Sequence, residues 1–495
     1  MSNEAFDVVV VGAGVSGLCA ALAAHDGGAR VAVLEYAPEE HRGGNTAYAA
    51  GSIRFAYKGM DDLLSVIPDL TPDEIENTDF GHYTEKYYDD MERVTEGRAM
   101  PELVETLIGN SLPTVQWLRA KGVRFLPNYS RQAYREGKKY KFRGGSPVEI
   151  SGGGHGLVEA LFTATARAGI PVFYETRGVA LREDSGSIAG IEVADGRGKR
   201  EIGAKSVVLA AGGFESNAEW RARYLGPGWD LAKVRGTRFN TGDGLRMALD
   251  IGASAVGNWS GCHAVAWDLS APEFGDLSVG NDFKKDSFQY CLLVNADGER
   301  FLDEGADFRN FTYAKNGAVI LRQPNQFAWQ IFDSKVTHLL RAEYRIRRVT
   351  KVKADTIEGL ADELYGVNRD GFLRTVREFN EAVQGGVPFD PNVKDGRGTR
   401  GLRVPKSNWA NAIDTPPFEA YAVTCGVTFT FGGLRVTTDA GVVANDGKPI
   451  PGLFAAGSMV GGLFYFNYPG GAGLMAGAVF GKIAGGSAAA SSKRR

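Results

Sequence analysis

The stretch from Val8 to Glu35 constrains the fold of this chain most strongly. It opens with four consecutive valines, a pattern typical of a buried parallel strand, and continues through Gly12, Gly14 and Gly17 into a helical stretch. A second apolar run then ends at Glu35. Glycines at this spacing permit a tight turn, a close approach of backbone to a diphosphate, and close packing of helix on strand. The stretch therefore predicts a βαβ unit whose helix N-terminus binds the diphosphate of a dinucleotide.

Glu35 indicates which dinucleotide is bound. At the end of the second strand, about 20 residues beyond the glycines, its carboxylate is placed to accept hydrogen bonds from a ribose 2′-OH. A carboxylate at this point disfavours a 2′-phosphate, so FAD or NAD is expected rather than NADP. Ala13 and Ser16 lie between the glycines and are expected in the same site. The alternative, an α/β core without nucleotide, is disfavoured because strands, glycines, helix and acid occur in register.

Composition excludes several classes of partner. The 495 residues are too many for one core, so two or more domains are expected. Lys and Arg number 56 against 59 Asp and Glu, a net charge of −3, so no nucleic-acid or anionic membrane partner is expected. No apolar run of about 18 residues predicts a membrane span. Four scattered cysteines predict reduced thiols without a metal site, and with no visible signal peptide they favour a cytoplasmic location.

A second glycine-rich region follows Glu35. Gly44, Asn45 and Thr46 are followed shortly by Gly51, which indicates either a surface turn or backbone lying close to a flat ligand. These segments resemble the flavoprotein family of fumarate reductase and succinate dehydrogenase, where they border the isoalloxazine ring and diphosphate of FAD. Family members with covalent flavin have a His just before that Thr. Asn45 at this position implies that FAD is bound non-covalently.

The resemblance extends over nearly the whole chain. A buried strand ending in AAGGF resembles the family's ATGGF motif, and a later NTGDG segment resembles its TGDG motif, whose Asp is also expected to cap the following helix. Near the C-terminus, a predicted helix start would direct backbone N–H groups toward the flavin ring. The resemblance implies further cofactor contacts at Val179, Ala211, Gly212, Asp243, Gly457, Ser458, Gly473 and Leu474.

One segment resembles the family's proton-transfer motif, in which an Arg-Phe pair is followed by an acid and then by a further Arg. Arg309 takes the position of that last Arg, with Glu304 and Asp307 as expected partners, although the Glu–Arg spacing is one residue longer than in fumarate reductases. An arginine pKa above about 12 makes it a poor free acid or base, so a buried carboxylate relay is required. The alternative is a structural, ion-paired arginine between domains.

The substrate motifs depart from those of fumarate reductases. Phe429 and Tyr468 replace the His and Arg that bind substrate carboxylates in that family. The surrounding TFTFGG and NYPGG segments resemble the tricarballylate dehydrogenases within the family, whereas a Tyr before a glycine-rich turn also resembles 3-ketosteroid dehydrogenases. The resemblance implies substrate contacts at His155, Phe429, Thr430, Tyr465 and Asn467, with Tyr468 or Tyr465 holding an activating carbonyl or carboxylate.

Together these patterns predict an α/β fold. A Rossmann-like FAD-binding domain of the GR2 type is expected over 1–250 and 401–495, with an inserted α+β domain over 251–400 that caps the flavin. The expected enzyme is an FAD-dependent oxidoreductase that forms or reduces a C–C double bond next to a carboxylate or carbonyl. The alternatives are an enzyme of the 3-ketosteroid dehydrogenase type and a non-catalytic or RNA-modification flavoprotein, the latter disfavoured by the lack of a basic signature.

Two further sets of predictions concern the acceptor that reoxidises the reduced flavin and the local secondary structure. No second GxGxxG motif follows a buried strand and opens a helix, so a tightly bound nicotinamide is not expected, and a quinone, oxygen or a partner protein is expected to accept the electrons. Apolar spacing predicts helices within 61–122 and 356–383. The acidic, aromatic segment 80–94 is predicted to be a helical surface rather than a site. The basic segment 129–150 is predicted to be a solvated loop, the alternative being that it neutralises an acidic substrate.

Overall fold

The computed structural model describes residues 5–142 and 145–494, and the chain divides into two compact units. Unit 1 comprises Met1–Leu225, Gly236–Cys262 and Phe429–Arg495; unit 2 comprises Gly226–Arg235 and His263–Thr428. The predicted segments 1–250, 251–400 and 401–495 place their boundaries elsewhere. As functional domains, these segments stay a prediction.

The strands and helices are numbered in chain order. The strands are β1 Ala5–Val11, β2 Val31–Leu34, β3 Ser52–Ile53, β4 Thr78–Asp79, β5 Phe125–Pro127, β6 Ala133–Glu136, β7 Lys139–Phe142, β8 Val148–Ile150, β9 Val172–Phe173, β10 Arg177–Asp184, β11 Ser187–Asp195, β12 Gly198–Leu209, β13 Lys233–Val234, β14 Ala255–Asp268, β15 Leu292–Val294, β16 Ala328–Phe332, β17 Lys351–Ala354, β18 Phe418–Leu434, β19 Gly441–Val443 and β20 Pro449–Ala455. The helices are α1 Val15–Asp26, α2 Met60–Val66, α3 Pro72–Asn77, α4 Glu85–Thr95, α5 Pro101–Gly109, α6 Ser111–Ala120, α7 Tyr129–Gln132, α8 Gly153–Arg167, α9 Ala218–Trp220, α10 Asp243–Asp250, α11 Tyr313–Leu321, α12 Ser334–Thr337, α13 Ile357–Glu363, α14 Arg369–Ala382 and α15 Ala472–Lys493.

Unit 1 is built on a sheet whose strands run in the order β10-β11-β12-β1-β2-β9, with β20 added to β12 and β19 to β20. Strand β1 lies between β12 and β2 and pairs with both in parallel, so that Val8 faces Ser206 on one side and Val31 on the other. The valines of β1 are buried, as the apolar run predicts for a central parallel strand. The predicted βαβ unit is confirmed as β1, α1 and β2.

Helix α15 packs closely on α1 along a row of small residues. A Cβ added at Gly481 would lie 2.4 Å from the carbonyl oxygen of Ser16, and one added at Gly485 would lie 2.1 Å from that of Ala20. Both separations are far below a van der Waals contact, so a side chain at either position would force the helices apart. Glycine at these two positions is what permits the close packing.

Substituting Gly485 by alanine is expected to destabilise unit 1, whereas the same change at the adjacent Gly486 is not. Gly485→Ala places a methyl group against the Ala20 carbonyl and is expected to lower the free energy of unfolding by about 1–3 kcal/mol. Gly486 has no atom within 4 Å of an added Cβ, so Gly486→Ala is expected to raise it by up to about 1 kcal/mol through helix propensity. Urea denaturation of the two variants tests the difference, and equal midpoints would contradict the packing argument.

A second sheet, whose strands belong largely to unit 2, has the order β13-β18-β16-β15, with β14 and β17 also pairing with β18. The main core of unit 2 is apolar and aromatic, and it includes Trp329 and Ile331 of β16. Phe372 and Val376 of α14 and Leu360 of α13 belong to the same core. The helices predicted within 356–383 are confirmed, and so are those within 61–122, which form α2 to α6.

One local prediction is wrong, and a second is confirmed only in part. The basic segment 129–150 is not a loop: it contains α7, the antiparallel pair β6–β7, and β8; Arg143 and Gly144 lie outside the described residues. The segment 80–94 includes helix α4, as expected, but Tyr87 and Asp90 on one of its faces are buried. Amphipathic spacing, rather than overall acidity, decides which face of such a helix is covered. No helix among residues 5–142 and 145–494 is long and apolar enough to span a bilayer.

Candidate functional site

The glycine-rich turn after β1 has the geometry that the sequence predicts. Gly12 has a φ of +102°, and a Cβ there would lie 2.5 Å from the carbonyl oxygen of Ala210. A Cβ at Gly17 would lie 1.8 Å from the carbonyl oxygen of Gly12, so the helix can approach the turn only without a side chain. Helix α1 starts after Gly14 without a side-chain cap. The N–H groups at the start of a helix suit an anionic diphosphate.

Glu35, just after β2, stabilises this turn through hydrogen bonds to its carboxylate. Its carboxylate accepts hydrogen bonds from the backbone N–H groups of Ala13, at 2.9 Å, and Ala37, at 2.8 Å. Burial raises the pKa of Glu35, and the two backbone donors oppose that rise. A carboxylate offers about four lone-pair sites, so acceptor capacity is left for the hydroxyl groups of a ribose.

The segment around Asn45 lies against the same turn. The Thr46 hydroxyl accepts a hydrogen bond from the N–H of Val15 at 3.0 Å, which places this segment at the first residue of α1. The Asn45 amide is fixed at both ends, because its Oδ1 accepts the Thr237 N–H at 2.8 Å and its Nδ2 donates to Glu215 at 2.7 Å. The structure thus brings the two predicted glycine-rich regions together. Gly44 and Gly51 lie in this part of unit 1, both with positive φ.

Asp243 does not cap helix α10 as predicted. Gly242 occupies the cap position, and Asp243 is the first residue of the helix. Its carboxylate instead binds the Arg177 guanidinium at 2.6 and 2.8 Å and accepts a hydrogen bond from the Thr241 hydroxyl at 2.8 Å. The capping prediction is therefore wrong, because a cap must precede the first helical residue.

Val179 lies at an irregularity within β10, and the AAGGF turn follows the end of β12. Val179 sits at a β-bulge in β10, where the pairing with β11 shifts register, and its carbonyl accepts a hydrogen bond from Arg246 at 3.0 Å. Ala211 and Gly212 follow β12, and Gly212 has a φ of +76°. A Cβ at Gly212 would lie 2.5 Å from the side chain of Asn240. The roles predicted for these three positions in FAD binding stay predictions.

The predicted cofactor residues near the C-terminus lie at the starts of two helices, α1 and α15. Gly457 has a φ of +71° and lies so close to Ser16 that an added Cβ would be 2.2 Å from the Ser16 hydroxyl. Ser458 follows in a short 3-10 helix. Gly473 and Leu474 lie in the first turn of α15, which starts after a glycine and has no side-chain cap. This second uncapped helix start fits the predicted flavin-ring contact.

Four aromatic rings in unit 1, which we name the aromatic cluster, lie beside this helix start. They belong to Phe429, Phe431, Phe464 and Tyr468, with neighbouring ring centroids 5.4–6.2 Å apart. A Cβ at Gly473 would be 3.6 Å from the rings of both Phe429 and Tyr468. Phe429 is half-buried and the other three rings are buried, so aromatic rings stand where the resemblance implies the charged ligands of fumarate reductases.

The other predicted substrate residues differ in exposure. Thr430 is buried, and its hydroxyl accepts the Phe214 N–H at 3.4 Å. Asn467 is buried and accepts the Tyr468 N–H at 2.9 Å, whereas Tyr465 is half-buried. His155 is exposed in the first turn of α8. Their substrate contacts stay predictions.

Arg309 is ion-paired with a carboxylate that was neither of its two predicted partners, Glu304 and Asp307. Its guanidinium lies 3.2 Å from Asp286, which also binds the Lys284 ammonium at 2.7 Å. Glu304 instead pairs with Arg300 and accepts the Leu293 N–H, so the predicted pairing of Glu304 with Arg309 is wrong. Although burial acts to raise it, the cations Lys284, Arg309 and Arg341 hold the pKa of Asp286 well below its ordinary value.

The sequence reasoning missed two further residues of this region. His263 is fully buried, and burial together with the charges of Arg235 and Lys284 lowers its pKa well below the ordinary value. Arg235 is held by Asn281, through hydrogen bonds of 2.6 and 3.2 Å, and by Thr428 at 2.9 Å. We name this group the cationic cluster; its members are Arg235, His263, Lys284, Asp286 and Arg309. The charged triplet 284–286 is a signal in the sequence that could have pointed to part of it.

Comparison with known proteins identifies the family. The FAD binding domain family matches residues 7–474. A probable fumarate reductase of Shewanella frigidimarina (strain NCIMB 400) is 30% identical over 493 residues, which cover 98% of this chain and 75% of that protein. A 3-oxosteroid 1-dehydrogenase of Mycolicibacterium smegmatis (strain ATCC 700084 / mc(2)155) is 26% identical and covers 98% of this chain and 97% of its own.

The solved structures agree with the sequence comparison. The open conformation of a flavocytochrome c3 fumarate reductase superposes with a TM-score of 0.74 at 29% identity, covering 99% of this chain and 79% of that chain. The FAD prediction is thereby confirmed, while the lack of a covalent link stays a prediction that rests on Asn45. The chain belongs to the FAD binding domain family and is an FAD-dependent oxidoreductase of the fumarate reductase and succinate dehydrogenase type, acting on CH–CH groups.

Proposed function

We propose that this enzyme dehydrogenates a polycarboxylate of the tricarballylate type, forming a C–C double bond next to a carboxylate. The cationic cluster of unit 2 carries this proposal. Three cationic side chains, Arg235, Lys284 and Arg309, share a largely buried region with the carboxylate of Asp286 and with His263, which its lowered pKa keeps neutral. The three cations and the one carboxylate give the cationic cluster a positive net charge. A buried, positively charged region favours an anionic ligand.

The reaction removes a hydride and a proton from neighbouring carbons. The hydride would be accepted by FAD when it is bound, and the proton requires a base within hydrogen-bond reach. We assign the proton transfer to Arg309, which can accept the substrate proton only after passing one of its own protons to the Asp286 carboxylate, 3.2 Å from its guanidinium. Asp286 then replaces Glu304 as the relay partner. Tyr468 is proposed to hold the activating carboxylate or carbonyl.

A second candidate function is dehydrogenation of an apolar carbonyl substrate of the 3-ketosteroid type. The aromatic cluster favours it, because the half-buried ring of Phe429, packed against Phe431 and Phe464, offers apolar contacts that suit a ring system rather than carboxylates. The similarity to a 3-oxosteroid 1-dehydrogenase supports the same reading. The two candidates differ in the charge of the substrate, which a direct measurement distinguishes.

Anaerobic bleaching of the flavin absorbance by tricarballylate, succinate and a 3-ketosteroid, each added separately, is the test. We expect tricarballylate to bleach it rapidly and the others slowly. Bleaching by the steroid alone would overturn the polycarboxylate proposal in favour of the second candidate. Bleaching by succinate in preference to tricarballylate would move the substrate class to dicarboxylates.

Arg235→Met is expected to raise the KM for tricarballylate by about tenfold or more, because a charge-assisted hydrogen bond to a carboxylate is lost, while flavin content stays unchanged. Arg369→Met is the matched control, since Arg369 is an exposed cation of the same unit, on α14, paired with Asp362. Steady-state kinetics of both variants give the comparison. An equal KM in the two would show that Arg235 does not bind substrate.

We also propose a quinone or a partner protein as electron acceptor and a reducing, cytoplasmic location. The first rests on the absence of a second dinucleotide-binding strand–glycine–helix unit in the sequence. The second rests on the cysteines, all four of which are buried thiols.

A further inference from the structure

The carboxyl group of Glu215 joins three loops of unit 1. Its Oε1 accepts hydrogen bonds from the side-chain amides of Asn45 and Asn240, each at 2.7 Å. Asn45 belongs to the segment after β2, Asn240 precedes α10, and Glu215 itself follows β12. Each of these loops contains residues predicted to contact FAD. One buried oxygen therefore holds the relative positions of three cofactor loops.

The second oxygen of the same carboxyl group has a different environment. Within the described residues, Oε2 of Glu215 is buried and has no hydrogen-bond partner. The charge of Arg221 acts on this carboxyl group, and Arg221 donates a hydrogen bond of 2.6 Å to the backbone carbonyl of Glu215. Two neutral amides, together with a cation that is hydrogen-bonded to the backbone, compensate the negative charge of a buried carboxylate poorly.

Near neutral pH, Glu215 is therefore expected to occupy both its ionised and its protonated form. Burial raises its pKa to about 7, and the hydrogen bonds from Asn240 and Asn45 oppose that rise. A protonated Glu215 keeps both amide hydrogen bonds on Oε1 and carries its proton on Oε2. An ionised Glu215 leaves half of its charge on an oxygen without a donor.

Binding of FAD is expected to shift the protonation equilibrium of Glu215 toward the protonated form. The diphosphate adds negative charge to unit 1, and the bound cofactor removes water from the surrounding loops. Both effects penalise an ionised carboxylate and therefore favour the protonated form.

We propose that Glu215 takes up one proton from solvent when FAD binds, so that the affinity for FAD falls as the pH rises. This proposal goes beyond the oxidoreductase activity and does not depend on which substrate is oxidised. No redox step is involved, since the proton alone moves to Oε2 of Glu215. Linkage requires the reciprocal effect, in which FAD raises the pKa of Glu215.

The test titrates apoprotein with FAD across the pH range and follows quenching of flavin fluorescence. The Kd of the wild-type protein is expected to rise about tenfold between about pH 6 and pH 8, because one protonated group is required. Glu215→Gln retains an acceptor oxygen and cannot ionise, so its Kd is expected to be nearly constant over that range. Glu219→Gln, at an exposed carboxylate on α9 that pairs with Arg223, is the matched control and should keep the wild-type slope.

A second measurement keeps the proposal testable if Glu215→Gln folds poorly. Mixing wild-type apoprotein with FAD near pH 8 in weak buffer with a pH indicator should show uptake of up to about one proton per FAD bound. Uptake in the wild type and Glu219→Gln, and its loss in Glu215→Gln, supports the assignment. A pH-independent wild-type Kd, no uptake by the wild type, or uptake unchanged in Glu215→Gln would overturn it.

Discussion

Replacing Arg309 by methionine is expected to lower the rate of substrate-dependent flavin reduction by about 10²–10⁴-fold, the range typical of losing a general acid–base group. The flavin content should not change, because Arg309 belongs to unit 2 and the glycine-rich FAD motifs to unit 1. Methionine preserves much of the side-chain length while removing the five N–H donors. Anaerobic stopped-flow reduction of the purified variant by tricarballylate measures the effect.

Two further variants separate catalysis from charge. Arg309→Lys keeps a cation beside Asp286 and should restore substrate affinity but not the rate, because an ammonium lacks the planar fork of a guanidinium. Arg322→Met removes an exposed arginine just after α11 and should behave as the wild type. If Arg309→Met reduces its flavin at the wild-type rate and only unfolds more easily, the alternative of a purely structural, ion-paired arginine is correct.

Replacing Asp90 by alanine is expected to lower the free energy of unfolding by about 3–5 kcal/mol, because it leaves a buried charge unpaired. Asp90 accepts hydrogen bonds from Arg54 at 3.3 Å and from the Tyr83 hydroxyl at 2.6 Å. Only 1% of the Arg54 side chain is exposed, so water cannot replace the lost carboxylate. Urea denaturation monitored by circular dichroism gives the free energy.

The same substitution should also weaken FAD binding. The Nε of Arg54 donates to the carbonyl of Gly470 at 2.8 Å, two residues before α15 starts. A displaced Arg54 would therefore shift the turn that positions the first residues of α15. Asp89→Ala, at the exposed neighbouring carboxylate on α4, should alter neither stability nor flavin content by a comparable amount. An equal loss in both variants would show that the effect comes from helix α4 in general.

Much of the fold follows from local sequence. The valines of β1, the turn at Gly12 and the close approach at Gly17 were predictable because each depends on residues within one βαβ unit, through strand burial and the steric limits of φ. The helices α13 and α14 follow likewise from apolar spacing within a single segment. Resemblance to a known family then supplied the cofactor, since the spacing of glycines alone leaves FAD and NAD open.

The partners of charged side chains were decided by tertiary structure. Sequence proximity favoured Glu304 as the partner of Arg309, but Arg300, four residues away, binds Glu304, and Asp286 binds Arg309. The cationic cluster gathers residues from separate segments of unit 2, and Glu215 gathers Asn45 and Asn240 from distant loops. Backbone conformation is set largely by neighbouring residues, whereas burial and ion pairing depend on which distant segments pack together. For this reason the sequence by itself determined the dinucleotide-binding unit, and only the folded chain determined which carboxyl groups are buried, paired and able to hold a proton.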